Sequence, residues 1–215
     1  LRCIRRDLRS MHNMILGTET ERKFLVRDGW PRDAPGHYIR QGYLPSAPGI
    51  TLRVRWTEKL GTITVKTPVF AGTRWEAECS IPPDTAAQLL TTCPNRPVEK
   101  VRHVWIVGDL SWEIDEFKGR HTGLVVAEVE LLHPWQDIVL PTWVGEEVTH
   151  VRAFHNSVIT KTESFHDVLA LWRQALIKEN KHIKCRNALD VQSIDERYQR
   201  MLGMLESHSH NNGPL

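Results

Sequence analysis

Between residues 18 and about 160 of this chain, ionised side chains recur two residues apart. Glu19, Glu21 and Lys23 alternate in this way, as do Arg53 and Arg55, Glu76 and Glu78, Lys100 and Arg102, Glu113 and Asp115, and Glu128 and Glu130. Lys66 follows Thr64 at the same spacing, and Arg40 stands on a further extended stretch. In an extended chain, residues i and i+2 share a face, so each pair reads as two like or opposite charges pointing the same way. Clustered carboxylates hold hard divalent ions through oxygen, and Mg²⁺ takes one or two of them together with substrate phosphates. Clustered Arg and Lys bind phosphoryl oxygens, Arg by its fork and Lys as a point charge. Acids and bases gathered in one cavity would suit a polyphosphate arriving with its metal. Catalysis there would be positioning plus neutralisation of developing charge, with water as the nucleophile.

The elements that must carry these residues are strands. Period-two patterning predicts eight of them, over residues 18–26, 37–44, 50–57, 61–67, 73–81, 98–107, 110–117 and 124–132. Turn chemistry such as Pro45-Ser46-Ala47-Pro48-Gly49, Gly108-Asp109 and Lys118-Gly119 separates them. Short connections argue for an antiparallel sheet and against βαβ units. One helix opens at Pro82-Pro83-Asp84 and ends before Pro94, and amphipathic stripes predict two more over 164–181 and 190–207. The face opposite the charges is apolar, with Leu52, Val54, Ile63, Val65, Ala77, Val101, Ile114, Val129 and Leu131. A half-solvated sheet explains any one charged strand. It explains the set less well, because acid pairs sorted by strand cost energy unless counter-ions lie between them. A sheet closed with its charged face inward accounts for them and removes its own edges. The expected fold is therefore α+β and mainly β: a closed eight-stranded antiparallel β tunnel with flanking helices and a C-terminal helical extension.

Composition narrows the class further. The chain has 215 residues, 40% of them hydrophobic and 25% charged, which suits an ordinary globular fold. Its net charge of +2 argues against a polyanion-binding tail, and no apolar run of ~18 residues predicts a membrane span. Nucleic acid and membrane are not expected partners; a small polyphosphate is, with the chain a monomer or homodimer. Cys3, Cys79, Cys93 and Cys185 share no metal-ligand spacing, and free thiols in a reducing cytoplasm are expected. Eleven scattered histidines lack paired metal spacing and read as surface residues, including His208 and His210 in a tail, 208–215, expected to be disordered. Cys79 points away from Glu78 and reads as packing. The expected organisation is a lead over 1–13, a tunnel domain over 14–161 and a helical extension over 162–215. A chain truncated after Lys161 is then expected to stay folded and active.

The charged motifs, in order, resemble the CYTH superfamily of triphosphate tunnel metalloenzymes, most of all its short bacterial members. Glu19-Thr20-Glu21-Arg22-Lys23 is similar to the family's opening E-x-E-x-K signature, and Ile39-Arg40-Gln41-Gly42-Tyr43-Leu44 to its second strand. Leu52-Arg53-Val54-Arg55, Thr64-Val65-Lys66, Trp75-Glu76-Ala77-Glu78, Val98-Glu99-Lys100-Val101-Arg102, Trp112-Glu113-Ile114-Asp115 and Ala127-Glu128-Val129-Glu130 follow in family order, and Gly145-Glu146-Glu147-Val148-Thr149 resembles the closing segment. The resemblance implies hydrolysis of inorganic tripolyphosphate to pyrophosphate and phosphate with Mg²⁺ or Mn²⁺. It implies that Glu19, Glu21, Glu128 and Glu130 hold metal or its water, and that Glu76, Glu78, Glu113 and Asp115 form a second acidic cluster. Lys23, Arg40, Arg53, Arg55, Lys66, Lys100 and Arg102 would grip phosphates, with Lys66 among the catalytic groups and Glu21 or Glu78 orienting the attacking water. After Glu147-Val148-Thr149 the family's Lys/Arg-Tyr-Lys-Asn is replaced by Arg152-Ala153-Phe154-His155-Asn156, where Arg152 keeps one basic contact. The same resemblance leaves open an organic triphosphate hydrolase or an adenylyl cyclase, and outside enzymology a polyphosphate-binding module.

Overall fold

The computed structural model describes residues 14–18, 20–68, 75–133, 136–182 and 188–210. Its strands are β1 (Met14–Thr18), β2 (Glu21–Val26), β3 (Gly36–Leu44), β4 (Thr51–Trp56), β5 (Gly61–Lys66), β6 (Trp75–Ile81), β7 (Val98–Val107), β8 (Leu110–Phe117), β9 (Val125–Glu130) and β10 (Val144–Glu147). Its helices are α1 (Pro83–Thr91), α2 (Asn156–Ile159), α3 (Phe165–His182) and α4 (Ala188–His210). The mainly β, antiparallel class is as the pattern predicts, and two particulars differ. There are ten strands among the described residues, where eight were expected. Their order is β1-β6-β5-β4-β3-β7-β8-β9-β2-β10, with no pairing between β1 and β10 among the described residues, which therefore do not close the sheet. The extra strands have a physical origin. The expected strand over 18–26 is interrupted near Thr20: β1 pairs with β6, whereas β2 pairs with β9. Extended backbone keeps its period of two through such a break, so the pattern does not show that the partner changes. β10 adds a short strand beside β2, with a register shift between Val144 and Glu147.

The chain forms two compact units, Leu1–Glu19 with Gln41–Pro94 and Thr20–Arg40 with Asn95–Leu215. The expected boundary after residue 161 falls inside the second unit.

In the first unit, β4 and β5 form a hairpin whose loop is held by the Thr57 N–H and hydroxyl, both donating to the Leu60 carbonyl at 2.9 and 2.8 Å. β6 extends the pairing on the far side of β5. Pro83 opens α1, where a missing N–H goes unnoticed. The helix packs Ala86 and Leu90 onto Val54, with Trp56, Ile63 and Ile81 around them. The approach to β3 requires glycine: a Cβ at Gly42 would stand 2.6 Å from Cys93 Sγ.

In the second unit the two faces of β2, β8 and β9 diverge. Phe24, Val26, Trp112, Ile114, Val125, Ala127 and Val129 pack on one side with Trp30, Trp143 and Val144. On the other side, the ends of the strands contribute Leu25, Val98, Phe117 and Val126 to a second core. That core is completed by Phe154 and by Phe165, Val168, Leu169 and Trp172 of α3, with Met201 of α4. Ser164 caps α3: its hydroxyl accepts from the Asp167 N–H at 3.2 Å, while the Asp167 carboxylate accepts from the Glu163 N–H at 3.1 Å. α4 continues past the point where the tail was expected to fray. His208 is fully buried, and its Nε2 lies 2.9 Å from the Val26 carbonyl oxygen. Cys79 is exposed rather than packed. No described helix is long and apolar enough to cross a membrane.

Candidate active site

The first unit presents one charged face built from the register of three strands. Arg53 of β4 lies opposite Thr64 of β5, which lies opposite Glu78 of β6; Lys66 lies opposite Glu76. Alternation therefore lines cations and carboxylates up across the strands. Arg53 Nη2 reaches Glu78 at 3.1 Å and Glu76 at 3.4 Å, and Lys66 Nζ reaches Glu76 at 2.7 Å. Arg55 donates through Nε to Gln41 Oε1 at 3.3 Å, and Gln41, fully buried, donates to the Tyr43 hydroxyl at 2.8 Å.

The second unit carries its own charged face. Lys23 lies opposite Glu128, which lies opposite Glu113, and Arg102 lies opposite Asp115. Lys23 Nζ pairs with Glu128 at 2.6 Å and stands 3.7 Å from Glu21. Arg102 grips Asp115 with Nε at 2.7 Å and Nη2 at 2.6 Å, and contacts Glu113 and, at 3.5 Å, Glu128. Lys100, without exposed surface, bonds Asp115 and lies over the Phe117 ring. Burial alone would raise the Glu128 carboxyl, yet Lys23, Arg102 and Lys100 hold it well below the carboxylate range. Asp115 behaves alike: burial opposes its charge, and Arg102 and Lys100 overcome that and lower it. Conversely, burial disfavours the Arg102 charge while Asp115, Glu113 and Glu128 hold it firmly in place.

This face is graded along the strands. Glu130 and Glu21, directly opposite one another, form its outer row, with Glu130 exposed and Glu21 partly so. Next come Glu113, Glu128 and Lys23, then Arg102 and Asp115. Within the Arg102–Asp115 row the face turns apolar at Val126 and Leu25, and beyond it Phe117 lies opposite Lys100; all three apolar residues belong to the core that α3 helps to form. Among the described residues, no three His, Cys, Asp or Glu side chains form a ready-made metal site. The facing Glu21 and Glu130 nonetheless suit a hard cation chemically. They are two oxygen donors of like charge, and Glu130 makes no ion pair among the described residues.

Glu19 lies outside the described residues. Arg40 is not brought to either face. Tyr38, two residues earlier, donates its hydroxyl to Glu99 at 2.7 Å, and a Cβ at Gly36 would meet Val101 and His103. That is the side of β7 opposite Lys100 and Arg102, and alternation sets Arg40 on it. Arg152 is exposed on a 3₁₀ turn and forms no ion pair among the described residues. Gln41 and Tyr43 join the first face without having been singled out in the sequence, and Thr64 joins it as its spacing from Lys66 suggested. For Thr64 the signal existed, two residues before Lys66; for Gln41 the only hint was its place between two aromatic-bearing positions of one strand.

Fold and faces define the class first: antiparallel β, with strands that bear acids and bases instead of apolar residues on one side. The CYTH domain model matches residues 17–165. The chain belongs to the CYTH family. An inorganic triphosphatase of Acetivibrio thermocellus is 37% identical to it over 150 residues, spanning 68% of this chain and 95% of that protein. One of Nitrosomonas europaea is 34% identical over 149 residues, spanning 66% and 96%. A solved structure of an inorganic triphosphatase matches with a TM-score of 0.53 at 31% identity, over 69% of this chain and 97% of that one.

Proposed function

We propose that this chain is an inorganic triphosphatase, a hydrolase that cleaves tripolyphosphate to pyrophosphate and phosphate with Mg²⁺ or Mn²⁺. The observation that carries the reading is the grading of charge in the second unit. At its base, three cations (Lys23, Lys100 and Arg102) surround two carboxylates, Asp115 and Glu128. Three cations gathered there, paired with Asp115, Glu128 and Glu113, offer strong donors to the oxygens of a polyanion. At the rim, Glu21, Glu113 and Glu130 gather negative charge where a divalent cation would sit beside substrate phosphates. Such a cation would supply charge neutralisation at the phosphoryl oxygens. The chain's own groups do the rest. On the first unit's face Lys66 and Arg53 would bind phosphoryl oxygens and Glu78 would accept a hydrogen bond from water; on the second unit's face Lys23, Lys100 and Arg102 would bind them, with Glu21 in the water-orienting role. The resting ion pairs keep these cations charged and oriented until phosphate replaces the carboxylates.

Two supports bear on the alternatives. Among the described residues no tryptophan lies on either charged face: Trp112 is buried in the opposite core, and Trp75 alternates with Glu76. A nucleoside or thiamine moiety would find no indole to stack on there, and the Tyr43 hydroxyl on the first face is engaged by Gln41; both favour a naked polyphosphate. The relatives named inorganic triphosphatases are matched over nearly their whole length, which favours an enzyme over a binding module. A reducing, cytoplasmic setting belongs to the same reading, with Cys79 and Cys93 as free thiols. The test is phosphate release from tripolyphosphate, ATP, thiamine triphosphate and pyrophosphate with Mg²⁺, Mn²⁺ or EDTA. Metal-dependent turnover of tripolyphosphate in preference to the others is expected. Turnover of ATP or thiamine triphosphate in preference would move the specificity, and none at all would overturn the enzyme.

A further inference from the structure

Thr64 occupies a position that the charges around it do not explain. It is fully buried at the centre of the first unit's charged face, between Arg53 and Glu78 in register. Its hydroxyl donates to Glu78 Oε2 at 2.7 Å and accepts from Arg53 Nη2 at 2.9 Å and Nε at 3.3 Å. Arg53 Nη2 also reaches Glu78 directly, at 3.1 Å. One hydroxyl thus spends its single hydrogen on the carboxylate and its lone pairs on the guanidinium. Both contacts involve a charged partner and are of the stronger kind.

This geometry fixes how Arg53 can be used. Its Nε and Nη2 are turned to Thr64, Glu76 and Glu78, while Nη1 has no partner among the described residues. We propose that Thr64 is a positioning residue for phosphate binding: it holds the Arg53 fork with Nη1 turned outward, and satisfies Glu78 when Arg53 turns to a phosphoryl oxygen. The inference rests on the triphosphatase reading above. Without the hydroxyl, Glu78 would keep only cations as partners and would compete with the incoming phosphate for Arg53. Glu78 is only partly buried, so water offsets part of the loss of its donor, and the remaining cost would appear on substrate binding. Thr64 touches no substrate in this role; it acts through Arg53 and Glu78.

The experiment is calorimetric titration of the full chain with tripolyphosphate in EDTA, which reads binding without turnover. Thr64→Val keeps the shape and removes the hydroxyl; Thr64→Ala replaces it if the valine variant does not fold. Loss of one hydrogen bond to a charged group predicts a Kd about tenfold or more above wild type. Thr64→Ser, which keeps the hydroxyl, is expected within about twofold of wild type on the same argument. In a Glu78→Gln background the competing charge is gone, and removing the hydroxyl should then change Kd by less than about twofold. Wild-type affinity in Thr64→Val, a serine variant as weak as the valine one, or an undiminished effect in the Glu78→Gln background would each overturn the role of Thr64 and leave the triphosphatase reading standing. Failure of the wild-type chain to bind tripolyphosphate in EDTA, together with no turnover of it with Mg²⁺ or Mn²⁺, would overturn both.

Discussion

The buried ion pairs of the second unit are expensive to hold and more expensive to break. Asp115 and Lys100 have almost no exposed surface, and Arg102 little more. Taking such ions from water costs several kcal/mol each, repaid by mutual attraction and by a full set of hydrogen bonds. Removing one charge leaves its partners uncompensated. Asp115→Asn is therefore expected to destabilise the fold by about 3–5 kcal/mol, read as a lower midpoint in urea. A shift under ~1 kcal/mol would mean that water already reaches Lys100 and Arg102. Lys66 tells a different story. Its ammonium pairs with Glu76, which keeps Arg53 as a second cation at 3.4 Å, so Lys66→Ala should cost the fold less than Asp115→Asn. It should lower kcat/KM on tripolyphosphate by about a hundredfold or more, as loss of one charge-stabilising group does; near wild-type kinetics would remove Lys66 from the site. Most of these side chains were legible because their charge and spacing survive any strand pairing. Gln41 was not, since a neutral side chain looks alike on a solvated face and in a buried network; for Thr64 the spacing showed the face and not the burial. Arg40 misled for the converse reason. A cation on a strand that also bears Tyr38 and Gln41 shows no clean alternation, and only the Tyr38–Glu99 bond reveals which side it takes.

At the scale of elements, the helices after residue 161 are where sequence and structure part. Their stripes, with Val168, Leu169 and Trp172, showed that one face of each is buried. A stripe does not name what it is buried against. In the structure α3 shares one core with Leu25, Val98, Phe117 and Val126, which lie on the same strand faces as Lys23, Lys100, Asp115 and Glu128, two residues along each strand. The helix is thus the continuation of the charged face by other means: where the strands run out of charge, it supplies the apolar floor. Truncation after Lys161, expected from the sequence to leave a working domain, should instead uncover this core and yield insoluble or molten protein. The milder variant Trp172→Ala should cost about 3–5 kcal/mol, since that side chain is fully buried. A soluble, cooperatively unfolding truncated chain would show that the floor is dispensable. The strand over 18–26 illustrates the same limit. Its pattern gave the extended conformation of residues 21–26 and set Glu21 and Lys23 on one face, and said nothing of the change of partner that separates β1 from β2.

For the molecule as a whole, these buried groups set the response to acid in two windows. His121 has no exposed surface; its Nε2 lies 2.9 Å from Thr162 Oγ1. The Thr162 hydroxyl already donates to the Ile159 carbonyl at 2.8 Å, so Nε2 carries the proton and donates, while Nδ1 is buried without a partner among the described residues. Burial, and after it the Arg120 charge, push the imidazole down to about 4 from 6.5. A histidine protonated more readily in the unfolded chain contributes stability that is present above pH 6.5 and drains away as pH falls toward 4. The carboxylates titrate later: Asp115 and Glu128 are depressed, so their contribution holds above the usual range near ~4 and is lost only below it. Stability measured in urea from pH 8 to 3 should therefore fall first between about 6.5 and 4, by at most about 1.4 kcal/mol per pH unit from this one group, and then more steeply. His121→Gln retains an amide donor for Thr162 and has nothing to titrate. Its curve should run flatter than wild type in the upper window and parallel to it in the lower one. Curves that stay parallel from pH 6.5 to 4 would show that the imidazole takes up its proton without leaving the fold.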